Sequence, residues 1–296
     1  MKKMISILLL CLLLVCCLPL GTLQAGATEY EDGNWVYTVS NGKATVVKYH
    51  YVGGDITIPS KLGGYSVTAI GARSFENAGS VLAVKIPDSV VTIEEYAFSG
   101  CSLTGVTIGN GVTEIKQFAF YNCPKLRTVT LGNSVGIIEG DVFSGCEKLT
   151  TINFPEKLTH IYQNAFSGCK SLKKLTLPDN VKYIGKSAFS QCTGLTEITL
   201  GTGITTIYAS GFADCTSLKI LRVSNNLLTV EANAFKNCSA LKNVYHTGDE
   251  AKMQKLRQNV KSTGNEYLKN ATWNHVCAFA NVDGKTPTCT ETGKFS

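Results

Sequence analysis

Residues 184–200 read IGKSAFSQCTGLTEITL, and this stretch decides the fold because close variants of it recur along the chain. Its phenylalanine, Phe189, belongs to a series in which successive members are 22 or 23 residues apart. The series consists of Phe75, Phe98, Phe120, Phe143, Phe166, Phe189, Phe212 and Phe235. Eight units in register cannot arise by chance, and a fixed period of this length indicates a repeat architecture.

Two other positions repeat together with the phenylalanine. An aliphatic residue lies five positions before each phenylalanine, as Ile184 does before Phe189. A cysteine lies three positions after each phenylalanine except the first, where Ala78 takes its place. These cysteines are Cys101, Cys123, Cys146, Cys169, Cys192, Cys215 and Cys238.

An alternating triplet such as Leu175-Thr176-Leu177 follows the cysteine of each unit. The alternation predicts a short strand with two residues facing in and one facing out. A second short segment ends at the aliphatic position, after which the phenylalanine enters the interior. One unit cannot bury its own apolar face, whereas stacked units can. The sequence therefore predicts a repeat solenoid of about eight 23-residue units over residues 55–246.

Stacking places equivalent side chains about 4.8 Å apart in successive coils. We therefore expect two structural columns in the core. The phenylalanine column contains Phe98, Phe120, Phe143, Phe166, Phe189, Phe212 and Phe235, and the cysteine column contains Cys123, Cys146, Cys169, Cys192 and Cys215.

The cysteine column has two interpretations. Export from the cell favours disulfides, but parallel Cβ vectors at the coil spacing lie beyond the usual Cβ–Cβ distance of a disulfide. Free cysteine behaves as a small buried hydrophobic residue, and the geometry favours that interpretation. A metal ladder is less favoured, because no acidic or histidine column runs beside the cysteines.

The complete motif is Ile-Gly-x-x-Ala-Phe-x-x-Cys-x-x-Leu-x-x-Ile-x-Leu, which residues 184–200 match throughout. It resembles the leucine-rich repeat of the BspA-like bacterial surface proteins. The resemblance implies a curved right-handed solenoid with a parallel β-sheet on its concave face. Proteins of that family are exported or surface-associated, and some are adhesins that bind host matrix proteins such as fibronectin and fibrinogen. Their repeats carry no catalytic residues.

The N-terminus predicts export. Lys2 and Lys3 precede an apolar stretch, and small residues end at Ala25-Gly26-Ala27, which is typical of a secretory signal peptide over residues 1–27. The apolar stretch is shorter than the roughly 20 residues that span a bilayer. This length favours a signal peptide over the alternative, a retained membrane anchor. No second long apolar run follows. We therefore expect a secreted or cell-surface protein with no membrane span in the mature chain.

Both ends of the solenoid are predicted to be capped. Residues 28–54 form the N-terminal cap, since Asn41-Gly42 between alternating segments is a preferred hairpin turn. In the C-terminal cap, residues 247–273, acids at Asp249-Glu250 open a helix to about Val260, and Asn265 to Trp273 is expected to be a strand. The tail, residues 274–296, is similar to the opening of small cysteine-rich modules. His275, Cys277 and Cys289 form at most an incomplete metal-ligand set.

The sequence predicts no enzyme, no cofactor and no metal site. The four histidines, at positions 50, 160, 246 and 275, have no motif partner, and no hydrolase, P-loop or dinucleotide motif is present. The formal net charge is +6, of which two positive charges belong to Lys2 and Lys3. A balance this mild indicates no nucleic-acid partner.

The outward positions of the triplet strands are the candidate binding surface. One column is Lys85, Thr107, Thr130, Asn153, Thr176, Thr199, Arg222 and Tyr245, and its neighbour is Ala83, Gly105, Thr128, Thr151, Lys174, Glu197, Ile220 and Asn243. Threonine suits an exposed strand whether or not a ligand binds.

Larger residues replace the small residues and threonines toward the C-terminal end of these columns, at Lys174, Ile220, Arg222 and Tyr245. Tyrosine and arginine are favoured interface anchors, so we expect an extracellular protein or glycan ligand, such as a host matrix protein, to bind there. Two alternatives remain: the C-terminal helix covers this patch, or the chain is a structural spacer without a specific ligand.

Overall fold

A computed structural model of the chain describes residues 27–50 and 53–276. The predicted signal peptide, apart from its last residue, lies outside the described residues, and so does the tail from residue 277, with Cys277 and Cys289.

The described chain consists of short strands and two helices. Its first strands are β1 (Glu29–Asp32), β2 (Trp35–Ser40), β3 (Lys43–Tyr49), β4 (Gly54–Thr57), β5 (Lys61–Leu62) and β6 (Tyr65–Ile70). The repeats contain β7 (Val81–Lys85), β8 (Thr92–Ile93), β9 (Gly105–Thr107), β10 (Glu114–Ile115), β11 (Thr128–Thr130), β12 (Ile137–Ile138), β13 (Thr151–Ile152), β14 (His160–Ile161), β15 (Lys174–Thr176), β16 (Tyr183–Ile184), β17 (Glu197–Thr199), β18 (Thr206–Ile207), β19 (Ile220–Val223) and β20 (Thr229–Val230). The chain continues with β21 (Asn243–His246), α1 (Glu250–Asn259), α2 (Glu266–Asn270) and β22 (Thr272–His275).

The alternating triplets form a parallel sheet, which confirms the predicted solenoid. We call it the triplet sheet; it runs in two hydrogen-bonded parts, β4-β7-β9-β11-β13 and β15-β17-β19-β21-β22. Its register pairs residues one repeat apart, as Leu175 pairs with Ile198. Each coil therefore lies directly on the preceding one.

A second line of parallel strands passes through the aliphatic position of each coil. We call it the isoleucine sheet; it joins β6-β8-β10-β12-β14-β16 and, separately, β18-β20. Its strands are two residues long from β8 onward, with the aliphatic residue buried and the preceding residue half-buried. The sequence predicts this segment but not its strands, because two residues are too few to display an alternation.

The phenylalanines occupy one column through the core. Ring centroids of successive members lie between 4.7 and 5.4 Å apart, with ring planes within 19° of parallel. Each of these side chains is fully buried, and burial of one contributes about 2 kcal/mol. Every coil thus buries its aromatic ring against its neighbours rather than within itself.

The seven cysteines of the described residues form a second buried column of free thiols. Each thiol donates a hydrogen bond to the backbone carbonyl oxygen of the phenylalanine in the preceding coil, with Sγ to O distances of 2.8–3.3 Å. Burial raises the pKa of Cys101 to about 12 and also raises the pKa of Cys169. The thiols of Cys101 and Cys169 are therefore protonated at neutral pH.

Each coil turns its corner through two left-handed residues, one lying two positions before the phenylalanine and one two positions after it. The residues before are Arg73, Tyr96, Phe118, Asp141, Asn164, Ser187, Ser210 and Asn233. The residues after are Asn77, Gly100, Asn122, Gly145, Gly168, Gln191, Asp214 and Asn237. Asn, Asp and Gly dominate the second set because they tolerate positive φ best.

At the N-terminal end, β2 and β3 form an antiparallel hairpin through Asn41 and Gly42, whose φ angles are +50° and +70°. β3 then pairs with β6 in parallel, so the hairpin extends the isoleucine sheet. β1 adds a further antiparallel strand at the edge.

At the C-terminal end, α1 begins at its N-cap Asp249, whose side chain accepts a hydrogen bond from the Lys252 amide. The expected strand from Asn265 to Trp273 is wrong in its first part, because residues 266–270 form helix α2 and only β22 is extended. The reason is the buried side chain of Asn265. Its Oδ1 accepts a hydrogen bond from the Phe235 amide at 2.9 Å. In the preceding coil, the equivalent Phe212 amide donates to a backbone carbonyl oxygen of the following coil, that of Ala234.

Neither α1 nor α2, the two helices of the described chain, is long and apolar enough to cross a membrane.

Candidate binding surface

The four residues singled out by the sequence lie at one end of the triplet sheet. Lys174 and Ile220 share a row in which Glu197 lies between them, one strand from each. Arg222 and Tyr245 are direct neighbours in the adjacent row. The solenoid thus brings together residues that are up to 71 positions apart in sequence.

Glu197 joins these residues, and sequence reasoning missed it. Its Oε1 accepts hydrogen bonds from Arg222, at 3.0 Å from Nε and 2.8 Å from Nη2. Its Oε2 lies 3.3 Å from the Nζ of Lys174. The signal was available, because a lone acid stands in the same outward column as Lys174, one coil further on.

The electrostatics keep the Glu197 carboxylate ionised. Burial opposes its ionisation, but hydrogen bonds from Arg222 and Lys174 outweigh the burial, and the pKa of Glu197 lies below its ordinary value. The two hydrogen bonds from one guanidinium also fix the orientation of Arg222 on the sheet.

Tyr245 completes this group of side chains. The guanidinium carbon of Arg222 lies 4.8 Å from the centroid of the Tyr245 ring, a cation–π distance. The Arg222 side chain is 18% exposed, whereas the Lys174 side chain is 74% exposed. The cluster therefore presents one exposed ammonium group beside a fixed guanidinium and a half-buried aromatic ring.

We define the charged cluster as Lys174, Glu197, Arg222 and Tyr245. Ile220 is half-buried beside it, in the same row as Glu197. Helix α1 packs against β20 and β22, and Arg257 of that helix lies over the Trp273 ring at 5.9 Å. The strand next to β21 in the triplet sheet is β22, so a strand rather than the helix borders the cluster.

Within residues 27–50 and 53–276, no three His, Cys, Asp or Glu side chains are grouped so that they could hold a metal ion. The predicted patch consists of paired charges and an aromatic ring.

The sequence matches a family model described as a BspA type leucine rich repeat region, in six copies, over residues 68–179 and 159–271. No protein with curated annotation matches the chain significantly.

Several solved structures resemble the chain. The Treponema pallidum (T. pallidum) leucine rich repeat protein TpLRR is 24% identical with a TM-score of 0.56, over 80% of this chain and 99% of that one. A leucine rich cell surface protein of Faecalibacterium prausnitzii A2-165 is 22% identical with a TM-score of 0.38, over 77% and 97% of the two chains. The pneumococcal vaccine antigen PcpA is 17% identical with a TM-score of 0.47, over 83% and 98%.

The likeness to the T. pallidum protein shows a shared fold. The family match covers more than half of the chain and includes the phenylalanine and cysteine positions on which the two core columns are built. This chain belongs to the BspA-type leucine-rich repeat family.

Proposed function

We propose that this chain is a non-enzymatic, exported binding protein that recognises an extracellular protein through the triplet sheet. The observation that carries the proposal is the charged cluster on the outward face of that sheet. Its residues come from four neighbouring strands, β15, β17, β19 and β21, whose positions the stacked core fixes. A rigid surface of this kind loses little conformational entropy when a ligand binds.

The chemistry of the charged cluster favours a protein ligand. Arg and Tyr are enriched among the residues that contribute most to protein interfaces. Arg222 is already held by Glu197, so it needs little further ordering on binding. Lys174 extends from the same row and supports attraction of an acidic partner surface.

Two further features support the absence of catalysis and the export of the chain. The described thiols are buried and their hydrogen atoms are donated to backbone oxygens, which removes them as nucleophiles. The N-terminal residues 1–27 have the charge and apolar pattern of a signal peptide. Adhesion to host matrix proteins is the specific form of the proposal.

Binding of the purified chain to immobilised fibronectin and fibrinogen tests this function. We expect Arg222→Ala and Tyr245→Ala each to weaken the binding at least tenfold, because both side chains contribute to one contact surface. Glu197→Gln should weaken it less, since Arg222 loses its ion pair but keeps its place over the Tyr245 ring.

Arg73 provides the matched control. Its guanidinium carbon lies 4.2 Å from the Tyr96 ring centroid, so Arg73→Ala removes the same kind of contact away from the triplet sheet. We expect Arg73→Ala to bind like the unaltered chain. If the chain retains no protein, or if all variants bind equally, the recognition function is wrong and the structural spacer takes its place.

A further inference from the structure

The outward face of the isoleucine sheet carries an aromatic surface that the proposed function does not use. Four rings lie there on three successive coils: His160, Tyr162, Tyr183 and Tyr208. His160 and Tyr183 directly precede the buried isoleucines of β14 and β16, and Tyr162 and Tyr208 directly follow those of β14 and β18.

The rings touch one another in a continuous series. Ring centroids lie 5.8 Å apart for His160 and Tyr162, 5.5 Å for Tyr162 and Tyr183, and 5.0 Å for Tyr183 and Tyr208. Tyr162 is exposed and the other three rings are half-buried. Gly185 occupies the position equivalent to Tyr162 and Tyr208 in the coil between them, where a Cβ would lie only 2.6 Å from the backbone nitrogen of Gln163.

A groove of about 300 Å³ begins at these rings and continues across the two preceding coils. Its lining includes Tyr162 and Tyr183 at one end, Glu114 and Glu139 at the other. Gly140 creates a notch in its wall. A Cβ at this position would lie 3.4 Å from the Cγ of Gln163 and 3.5 Å from the Nε2 of Gln117.

Charges beside the groove disfavour an anionic ligand. Lys116 lies between the two carboxylates, with its Nζ 2.8 Å from Oε2 of Glu114 and 3.3 Å from Oε1 of Glu139. Its positive charge is therefore shared between two negative groups. Phosphate or sulfate would meet a surface with an excess of negative charge.

The groove also has unused hydrogen-bonding groups. Among the residues that the structure describes, no hydrogen bond from the protein engages the hydroxyls of Tyr162, Tyr183 or Tyr208, or the side-chain amides of Gln117 and Gln163. These groups can exchange water for the hydroxyls of a ligand. The groove thus combines exposed aromatic faces with amide and hydroxyl groups.

We propose that this groove, the aromatic groove, binds a neutral carbohydrate chain. A sugar ring has apolar C–H faces that pack against aromatic rings and equatorial hydroxyls that accept and donate hydrogen bonds at its edge. Tyr162 and Tyr183 supply the rings, and Gln117, Gln163 and Glu139 surround the notch at Gly140. This site lies on the isoleucine sheet, apart from the charged cluster of the triplet sheet.

Titration calorimetry with neutral tetrasaccharides of glucose, mannose, galactose and N-acetylglucosamine tests the proposal on the purified full chain. We expect at least one to bind saturably. Tyr162→Ala should weaken that binding about tenfold by removing a stacking ring, and Tyr162→Phe should retain most of it. Gly140→Gln should weaken it similarly by filling the notch with a side chain that neighbouring coils accommodate.

Tyr267→Ala is the matched control, because Tyr267 is exposed to a similar extent, 41% against 39% for Tyr162, but lies on α2. Unchanged binding in Tyr267→Ala and Arg222→Ala supports the aromatic groove. The proposal is overturned if no tetrasaccharide binds at millimolar concentration, or if binding survives both Tyr162→Ala and Gly140→Gln. The proposal is also overturned if the chain retains a protein through Tyr162 but binds no saccharide.

Discussion

His246 is buried where the last triplet strand of the repeats, β21, meets the C-terminal segment. Its Nδ1 accepts a hydrogen bond from the Gly248 amide at 2.9 Å, and its Nε2 has no partner among the described residues. Because Nδ1 accepts, the neutral ring carries its proton on Nε2. Protonation of Nδ1 would break the bond to Gly248 and leave a buried charge.

This histidine makes the C-terminal end sensitive to acid. Burial lowers the pKa of His246, and the nearby His275 and Lys252 lower it further, against the opposing effect of the Asp249 carboxylate. The unfolded chain then takes up a proton before the folded chain does as the pH falls. Stability is therefore present above the unfolded pKa of about 6.5 and is lost as the pH falls below it.

We expect His246→Asn to remove part of this pH dependence. The Oδ1 of asparagine can still accept from Gly248, but the side chain does not titrate. Urea unfolding at pH 8 and pH 5 measures the free energy of unfolding of both chains. His50→Asn, at a half-exposed histidine beside Glu31, is the control and should retain the original slope. If His246→Asn loses as much stability between pH 8 and pH 5 as the unaltered chain does, His246 is not the source of the acid sensitivity.

At the scale of elements, the corner is the most demanding part of each coil. A left-handed residue other than glycine costs about 1 kcal/mol, and the corners use two left-handed residues per coil. Gly168 and Gln191 occupy the same corner position in adjacent coils, with φ angles of +75° and +59°. The Gln191 side chain is exposed, so burial of this side chain contributes little to stability.

We expect Gly168→Gln to destabilise the chain by about 1 kcal/mol, because glutamine must adopt positive φ there. The space itself is open, since a Cβ at Gly168 would meet nothing closer than 3.7 Å. Gln191→Gly should instead stabilise the chain, because glycine adopts positive φ without this cost. Urea denaturation of the two variants checks the pair, and destabilisation of similar size in both would show that backbone strain does not govern this corner.

Much of the element structure could be predicted because each phenylalanine fixes the positions of its neighbours in the unit. The triplet strands follow from the alternation at Leu175-Thr176-Leu177. The sequence does not predict the strands of the isoleucine sheet, because their pairing depends on the stacking of coils rather than on an alternation in the sequence. Helix α2 was missed because the contacts of Asn265 with the last coil, not local preference, determine that turn.

The candidate site was predictable only in part, for the same reason. Adding one period to Arg222 gives Tyr245, so their adjacency followed from the sequence. The role of Glu197 required the register across strands and the reach of two long side chains. The aromatic groove combines residues from both sides of the aliphatic position, and a search along single columns does not assemble it.

At the scale of the whole molecule, both ends of the stack must prevent further pairing. β1 forms the N-terminal edge of the isoleucine sheet, and three of its four exposed residues are acids: Glu29, Glu31 and Asp32. Charged residues on an edge strand oppose edge-to-edge association. Within the described residues, Asn265 and β22 form the other end of the stack.

Because interior coils contact only their neighbours, the stack should tolerate the loss of one whole coil. Removal of residues 91–112 deletes one 22-residue period, including Phe98 and Cys101. Phe75 would then stack on Phe120, and Gly132 would take the place of Gly109 above Pro87, where the backbones leave no room for a Cβ. We expect a folded chain that binds through unchanged surfaces.

Circular dichroism and urea unfolding test this prediction. The shortened chain should unfold cooperatively with a smaller m-value, since less surface is exposed on unfolding. Removal of residues 91–101 alone is the matched control, because half a period places Gly109 where a phenylalanine ring must stack and moves every later column out of register. If the half-period deletion folds as well as the full-period deletion, then coil-on-coil register does not hold this molecule together, and neither proposed binding surface would have a fixed geometry.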